Sequence, residues 1–384
     1  MNSKFQLRTK FYFGKESILN IREEVIKGKY KSVMITYGGG SIKKNGIYNS
    51  LIEILKLSNV RFIEFGGIKP NPRDIDAFKA SLMARAEEID LIIAVGGGST
   101  IDASKVIATL ATNPQYQDAW SYVEDSSKAT KPPIPIFSII TLAGTASENN
   151  SGSVITSVNN RLKMAVFNDL ATPIVTIEDP EFTMSVSRWQ TASGIFDCFS
   201  HLLEQYYGES TFGWTKEIIF ANLRVLLKYG PKAVSDPTNY DARANVLWTT
   251  SMSLNGMTSF QSETDWSVHF MEHAISAKWD VSHGAGLALI TPTYIKLRCE
   301  YQEWFKKKTL VLAKEVFNIN NVEEFISFLN NWILKIGLPT KWTDFEEIKA
   351  VSEYDYQEMV IHTIKGGGFL PRDFYMSVYK NIPK

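Results

Sequence analysis

Apolar runs alternate with amphipathic segments through the first ~180 residues of the chain. Six short runs are rich in β-branched or aromatic residues and are predicted as strands: Ser32–Thr36, Val60–Phe65, Leu91–Val95, Ile134–Ile140, Lys163–Phe167 and Ile174–Ile177. Three segments between them have helical spacing: Asn45–Ser58, Arg73–Glu88 and Thr100–Leu110. This alternation predicts an α/β domain with a Rossmann-like parallel sheet and helices on its faces.

From Ser185 onward the pattern changes to long amphipathic segments with little strand signal. Five of them are predicted as helices: Thr191–Tyr207, Thr215–Leu227, Asp241–Met257, Ser262–Ala277 and Val322–Ile336. We therefore predict two domains, an α/β domain over residues 1–183 and an all-helical domain over residues 184–384.

Composition narrows the class of protein. Hydrophobic residues make up 44% and charged residues 21%, and the 41 basic side chains balance the 41 acidic ones. A neutral chain offers no general attraction for nucleic acid or an anionic membrane, and no apolar run is long enough to span a bilayer. The two cysteines, Cys198 and Cys299, exclude a disulfide scaffold and favour a reducing compartment, so we expect a cytoplasmic protein.

A glycine-rich turn joins the predicted strand Leu91–Val95 to the helix that follows it. Gly96, Gly97, Gly98 and Ser99 let the backbone approach a ligand closely, and the next helix would offer free N–H groups to a pyrophosphate. We count Gly97, Gly98, Ser99 and Asp102 as candidate cofactor residues. The alternative is a tight turn without a ligand, in which Ser99 caps the helix and Asp102 serves its first turn.

A second glycine turn, Gly38–Ser41, follows the first long strand and suggests contacts with the adenosine ribose. A site for NAD normally places a carboxylate near the ribose 2′-hydroxyl, but no acid lies between Thr36 and Tyr48. Ser41, Lys43 and Lys44 suit a 2′-phosphate instead. Gly39, Gly40 and Ser41 are therefore candidate NADP(H) contacts, and the alternative is a solvated turn with surface lysines.

Four of the five histidines lie between His201 and His283. Asp197 and His201 are four residues apart, as are His269 and His273, so each pair shares one face of a predicted helix. One carboxylate with several imidazoles suits a divalent first-row metal such as Zn or Fe. Spacing alone leaves open which of His269, His273 and His283 are ligands, and buried core histidines are the alternative.

These motifs together resemble the iron-containing, group III alcohol dehydrogenases, especially their NADPH-dependent butanol dehydrogenase and aldehyde reductase branch. The matching segments are spread in order over most of the chain: Gly96–Lys105, Thr141–Glu148, Gly194–Tyr206, Asp265–Ala277 and His283–Gly284. The resemblance implies a dehydroquinate synthase-like architecture with the site in the cleft between two domains. Residues 1–183 would form the dinucleotide-binding domain, and residues 184–384 would form the metal-binding, catalytic domain. The resemblance also implies a homodimer.

The resemblance also implies roles for single residues. Asp197, His201, His269 and His283 would bind the metal, and His273 would lie near the nicotinamide and substrate as the catalytic residue. Among the candidate cofactor contacts, Thr141, Leu142 and Thr145 would line the adenosine and ribose, and Lys163 would lie close to the ribose. The final glycine run, Gly366–Gly368, is predicted as a loop rather than a phosphate site because no strand precedes it.

The expected activity is interconversion of small primary alcohols and aldehydes by direct hydride transfer with NADP(H), the metal acting as a Lewis acid. One alternative is a carbon–oxygen lyase of the dehydroquinate synthase kind, or a glycerol dehydrogenase-like enzyme, on the same fold. Lyase chemistry requires several cations around a phosphorylated acidic substrate, and few Lys or Arg residues lie near the histidines. A non-enzymatic dinucleotide-binding regulator would have no reason to retain all four metal positions.

Overall fold

The computed structural model describes residues Lys4–Lys384. Residues 1–3, which the predicted first domain includes, lie outside the described residues. The chain divides into two compact units: an α/β unit, Gln6–Val186, and a helical unit, Ser187–Lys384 together with Lys4 and Phe5. The combination of a parallel α/β unit with a helical unit confirms the predicted fold class. The functions assigned to the two predicted domains stay predictions.

The α/β unit contains eight strands and six α-helices in its described residues. In chain order they are β1 (Lys10–Phe13), α1 (Asn20–Gly28), β2 (Ser32–Tyr37), α2 (Ser41–Lys44), α3 (Ile47–Leu57), β3 (Arg61–Phe65), α4 (Asp74–Ala86), β4 (Leu91–Gly96), α5 (Gly98–Thr112), α6 (Ala119–Glu124), β5 (Ile136–Ile140), β6 (Gly152–Ser157), β7 (Leu162–Phe167) and β8 (Val175–Glu178). Six of the strands form one parallel sheet in the order β1-β8-β5-β4-β2-β3.

The centre of this sheet explains the apolar runs in the sequence. Every residue of β4 and β5 is buried, because helices cover both faces of a parallel sheet. β4 lies between β2 and β5, with Val95 paired to Tyr37 and Gly96 paired to Ile140. The three segments predicted to contact the cofactor follow β2, β4 and β5, so they leave three adjacent strands at the same carboxyl edge. That edge is where open α/β sheets bind ligands.

One predicted strand lies outside this sheet. Lys163–Phe167 falls within β7, which pairs antiparallel with β6 in a separate two-stranded hairpin. Lys163 is opposite Thr156 in this hairpin and is buried. The prediction of a strand near the end of this half is confirmed. Its partner β6 was not predicted, because β6 carries mostly small and hydroxylated residues and gives no strand signal.

The helical unit consists of nine α-helices in its described residues: α7 (Arg188–Tyr206), α8 (Gly213–Ser235), α9 (Tyr240–Met252), α10 (Ser267–Trp279), α11 (His283–Tyr301), α12 (Glu303–Phe317), α13 (Val322–Lys335), α14 (Glu353–Lys365) and α15 (Arg372–Asn381). Two predicted helices were too long. Asp241–Met257 ends at Met252, and Ser262–Ala277 begins only at Ser267, because Trp266 adopts a left-handed conformation that precedes the helix. From Lys4 to Lys384, no helix is both long enough and apolar enough to cross a membrane.

Candidate metal centre and cofactor-binding turns

Three helices of the helical unit supply the acid and the histidines of the predicted metal site. Asp197 and His201 lie four residues apart on α7, and His269 lies on α10. His283 is the first residue of α11. The three residues other than His283 are at most 7% exposed, so the carboxylate and the imidazoles are withdrawn from water.

One oxygen of Asp197 lies close to all three of these imidazoles. Asp197 Oδ1 is 3.5 Å from His201 Nε2, 3.6 Å from His269 Nε2 and 3.6 Å from His283 Nε2. Ligands about 2.1 Å from a tetrahedral ion lie roughly 3.4 Å from one another, so these separations fit a shared ion. The ligand atoms of Asp197, His269 and His283 all lie within 4.8 Å of one another, and His201 joins them through Asp197.

The hydrogen bonds of these atoms support the same interpretation. Among the described residues, neither Asp197 Oδ1 nor His269 Nε2 has a hydrogen-bond partner, and both atoms are buried. Buried polar atoms without partners are uncommon in folded proteins and require an explanation, such as an ion. The donor set of one carboxylate oxygen and three imidazole nitrogens fits Zn²⁺ or Fe²⁺.

Two glutamates orient two of the imidazoles. Glu204, on α7, is hydrogen-bonded to His269 Nδ1, and Glu272, on α10, is hydrogen-bonded to His283 Nδ1. Glu204 also accepts the backbone N–H of Val268 at 2.6 Å. A carboxylate on the far nitrogen of a histidine fixes the ring and its tautomer, as in many metal sites. The sequence-based reasoning assigned no role to these glutamates, although both lie within the matching segments.

The pKa values of His201 and His269 shift in opposite directions. Burial lowers the pKa of His201 to about 3. The negative charge of Asp197 acts to raise this pKa, and the positive charges of His269 and His283 act to lower it further. Burial also acts to lower the pKa of His269, but Glu204 and Asp197 outweigh it and raise that pKa to about 10. Burial opposes ionisation of Asp197 as well, yet the neighbouring imidazoles hold its pKa below its ordinary range. Asp197 is therefore ionised and His201 neutral, the forms in which these groups bind a metal ion, whereas His269 retains a proton that a metal ion would displace.

His273 lies beside this centre. Its ring centroid is 6.4 Å from that of His269 and 5.6 Å from that of His283. One ring nitrogen of His273 forms a second compact group with Glu272 and His283. The predicted division of roles, with His273 next to the substrate rather than on the metal, stays a prediction.

In the α/β unit, the turn between β4 and α5 brings five predicted cofactor residues together. A Cβ on Gly98 would overlap the side chain of Thr145, and a Cβ on Gly97 would lie 3.0 Å from Leu142 Cβ. Thr141 donates its backbone N–H to Gly96 O at 3.0 Å. Close packing against Leu142 and Thr145 therefore requires glycine at positions 97 and 98 even without a ligand. The turn at the amino end of α5 remains the candidate pyrophosphate site.

Asp102 does not lie at the open end of this turn. It is buried on α5, where its carboxylate accepts a hydrogen bond from Ser147 Oγ at 2.5 Å and from the backbone N–H of Val154 at 2.9 Å. Lys105 and Lys163 are the cations whose charges act on it. Asp102 thus ties α5 to the segment after β5, and the interaction with Lys163 connects it to the β6–β7 hairpin. Ser99 lies in the first turn of α5 rather than at its N-cap, which is Gly97.

A carboxylate that the sequence did not lead us to expect lies beside the turn after β2. Glu64 Oε2 accepts hydrogen bonds from Lys43 Nζ at 2.9 Å and from Tyr37 OH at 2.7 Å, and Tyr48 OH bonds to Glu64 Oε1. Interactions with Tyr37 and then with Glu64 raise the pKa of Lys43 above its usual value. Glu64 comes from β3, the strand beside β2, and lies outside the segment between Thr36 and Tyr48, in which the sequence has no acid.

Two of the three glycines in this second turn, Gly39 and Gly40, have open space beside them. A Cβ on Gly39 or Gly40 would meet no atom within 4 Å among the described residues, and Gly40 has φ +87°. The C-terminal run Gly366–Gly368 differs, because a Cβ on Gly367 would lie 2.8 Å from the ring of Phe270. That run follows α14 as a loop, as predicted, and its glycines are explained by packing.

With this geometry established, comparison with known proteins identifies the class. A family model described as iron-containing alcohol dehydrogenase matches residues 8–180, and a model of the C-terminal part of the Fe-containing alcohol dehydrogenase family matches residues 191–366. The chain belongs to the iron-containing alcohol dehydrogenase family.

Similar proteins in this family are named for different cofactors, some for NADH and some for NADPH. The chain is 38% identical to NADH-dependent butanol dehydrogenase A of Clostridium acetobutylicum, over 91% of this chain and 85% of the relative. It is 33% identical to the NADPH-dependent aldehyde reductase YqhD of Escherichia coli, over 90% and 89%. The crystal structure of NADH-dependent butanol dehydrogenase A from Thermotoga maritima superposes with a TM-score of 0.92 at 30% identity, covering 100% of this chain and 99% of that one.

Proposed function

We propose that the protein is a metal-dependent oxidoreductase that interconverts small primary alcohols and aldehydes with NADP(H). The observation that carries the proposal is Asp197 Oδ1 facing three imidazole Nε2 atoms at 3.5–3.6 Å, in a chain of the alcohol dehydrogenase family. Asp197, His201, His269 and His283 would hold the metal. Relatives named butanol dehydrogenase and aldehyde reductase support short aliphatic substrates.

When bound, the divalent metal supplies a Lewis acid toward the substrate oxygen, and the nicotinamide supplies or accepts the hydride. The residues of the chain create the conditions for this chemistry. Asp197 contributes the negative charge that favours a cation, and Glu204 and Glu272 hold two imidazoles with Nδ1 occupied, so that Nε2 is left for the ion. His273 would move the proton that the substrate oxygen gains or loses.

The cofactor residues belong to the same proposal. The turn before α5 would hold the pyrophosphate, lined by Gly97, Gly98 and Ser99, and the turn after β2 would hold the ribose phosphate, lined by Gly39, Gly40 and Ser41. Thr141, Leu142 and Thr145 would line the adenosine side, with Lys163 near the ribose and Asp102 acting by fixing the segment after β5. Lys43 would provide the cation for a 2′-phosphate.

One observation favours NADH as a second candidate cofactor. Glu64 already neutralises Lys43, and a carboxylate beside the ribose turn suits a free 2′-hydroxyl better than a phosphate. NADP(H) remains the proposal because Lys43 is 44% exposed in its side chain and can turn toward a phosphate that carries more charge than Glu64.

The experiment is oxidation of NADPH by purified, metal-replete protein with butanal, with NADH in parallel. We expect turnover with preference for NADPH. Turnover with NADH preferred would overturn the cofactor assignment and leave the enzyme class. Absence of turnover with either cofactor, despite bound metal and across aldehydes of several chain lengths, would contradict the proposed activity. A cytoplasmic location and a homodimer also belong to the proposal, and light scattering at micromolar concentration tests the dimer.

A further inference from the structure

In the described part of the chain, His201, one of the candidate metal ligands, lacks the hydrogen bond at Nδ1 that orients His269 and His283. His269 and His283 each have a glutamate on Nδ1. His201 Nδ1 is buried and has no hydrogen-bond partner among the described residues. A histidine ligand must be held in the plane that directs its lone pair at the ion, and a hydrogen bond at the far nitrogen usually does this. Something else must orient His201.

Two aromatic contacts hold the His201 ring. It stacks on His269 with centroids 4.7 Å apart and an interplanar angle of 15°. The indole of Trp266 meets it edge-on, with centroids 5.9 Å apart at 65°. The same indole meets His269 at 5.2 Å and 77°. Trp266 therefore contacts both members of the stacked pair.

The position of the indole is itself constrained. Trp266 Nε1 donates to Thr264 Oγ1 at 2.9 Å, which limits rotation of the ring. The backbone of Trp266 has φ 64° and ψ 6°, a left-handed conformation in which a bulky side chain is rare and strained. Strain of this kind persists only where the surroundings enforce it, and it concentrates at functional sites.

The residues around Trp266 enforce this conformation. Asp265 Oδ1 accepts the backbone N–H of Ser267 at 2.8 Å, and Tyr294 OH donates to the same carboxylate at 3.0 Å. Asp265 also donates its backbone N–H to Glu204 O at 2.9 Å, on the helix that carries His201. These bonds fix the chain on both sides of Trp266 before α10 begins.

We propose that Trp266 is a positioning residue for the metal centre. Its left-handed turn sets the indole against His201 and His269 and gives His201 the orientation that Glu204 and Glu272 give the other imidazoles. This inference rests on the proposed metal site. The competing interpretation is that Trp266 only packs the start of α10, in which case its removal would affect folding without a specific effect on metal binding.

The other end of α10 provides a matched control. Asp280 also has a left-handed backbone, with φ 57°, at the C-cap of the same helix, where that conformation is common. Trp266→Gly and Asp280→Gly both place glycine in a left-handed position at an end of α10. Only Trp266→Gly removes an aromatic ring that contacts His201 and His269.

The experiment measures Zn²⁺ affinity of the metal-free protein against a chromophoric chelator, together with the Co²⁺ visible spectrum and the thermal midpoint without metal. For Trp266→Gly we expect Zn²⁺ affinity to fall at least about tenfold, with an altered Co²⁺ spectrum. Trp266→Phe, which retains an aromatic edge, and Asp280→Gly should both stay within about threefold of wild type.

Each other result has a defined meaning. Wild-type affinity in Trp266→Gly overturns the inference, as does an equal loss in Asp280→Gly. If Trp266→Gly does not fold, Trp266→Asn carries the test, because asparagine tolerates the left-handed region and has no ring. Failure of both to fold would assign Trp266 a general folding role and overturn the inference. If wild type binds neither Zn²⁺ nor Co²⁺, it is the proposed metal site that fails.

Discussion

Glu204 contacts His269 twice: its Oε2 is hydrogen-bonded to the imidazole Nδ1, and its Oε1 accepts the His269 backbone N–H at 3.2 Å. Both residues are buried, and they lie on different helices, α7 and α10. One carboxylate thus fixes the ring of a candidate ligand and the first turn of the helix that carries it. The orientation of His269 is therefore built into the packing of the helical unit.

The first prediction follows from this contact. Glu204→Gln keeps an acceptor oxygen but removes the negative charge that makes the imidazole a stronger ligand. We expect Zn²⁺ affinity to fall about 10- to 100-fold, with the far-UV spectrum unchanged. Chelator competition measures the affinity. Glu217→Gln, on the exposed face of α8, is the control, and equal affinities in the two variants would refute the role of Glu204.

The second prediction separates a metal ligand from a catalytic residue. His269→Ala should lose bound metal and activity together. His273→Ala should retain about one metal ion per chain, while kcat falls by roughly 10²-fold because a proton-transfer group is lost. Metal analysis after dialysis and steady-state kinetics measure the two effects. His362→Gln, which changes the remaining histidine on α14, is the control.

The results of this pair of variants can contradict the assignment in two ways. A fully active, metal-replete His269→Ala protein would remove His269 from the ligand set. Loss of metal from His273→Ala would mean that the two roles are exchanged.

Much of the fold could be predicted because its signal is local. Apolar runs rich in β-branched and aromatic residues located five of the six strands of the parallel sheet, β2, β3, β4, β5 and β8, and missed β1. The helix α11 was missed because its glycines and Pro292 are typical of loops. The structure explains two of them: a Cβ on Gly284 would overlap the Ser193 backbone, and one on Gly286 would lie 2.9 Å from the Glu272 side chain. Such glycines are selected by contacts that are distant in sequence.

In the candidate site, too, pairs of residues close in sequence could be predicted, and contacts between distant residues could not. Asp197 and His201 share a helix face, so their spacing alone indicated a pair. The contact of Glu204 with His269 spans 65 residues, and that of Lys43 with Glu64 spans 21 residues across neighbouring strands. No sequence period encodes these contacts. The left-handed backbone of Trp266 could not be predicted from the sequence either, because the apolar pattern continues through this residue.

The third prediction concerns cofactor preference. Glu64→Gln removes the charge that competes for Lys43, so KM for NADPH should fall relative to KM for NADH. Lys43→Gln should raise KM for NADPH by roughly tenfold, because one charge-assisted hydrogen bond to the 2′-phosphate is lost, and leave KM for NADH nearly unchanged. Lys56→Gln, in the last turn of α3, is the control. A wild-type KM for NADH at or below that for NADPH would refute the interpretation of this turn.

The fourth prediction concerns the buried pair Asp102 and Lys105. Lys105 Nζ donates to Ser147 Oγ at 2.9 Å and to Gly152 O at 2.6 Å, and its side chain is 1% exposed. Lys105→Met leaves the buried Asp102 charge without the cation that acts on it most strongly, and we expect a loss of about 3–5 kcal/mol in the free energy of unfolding. Adding Asp102→Asn should recover part of that loss, because the two groups interact. Urea unfolding measures it, and strictly additive losses would contradict the pairing.

The fifth prediction is the pH dependence of the same lysine. Burial lowers the pKa of Lys105 to about 8, against the opposing charges of Asp102 and Glu148. In the unfolded chain the lysine titrates near 10.4, so between about pH 8 and pH 10 the unfolded state binds more protons than the folded one. Stability contributed by this group therefore rises with pH in that window, by at most about 1.4 kcal/mol per unit. The free energy difference between wild type and Lys105→Met should accordingly grow from pH 7.5 to pH 9.5, as urea unfolding at both values will measure. A difference that stays constant would mean that Lys105 remains fully charged in the folded protein throughout this range.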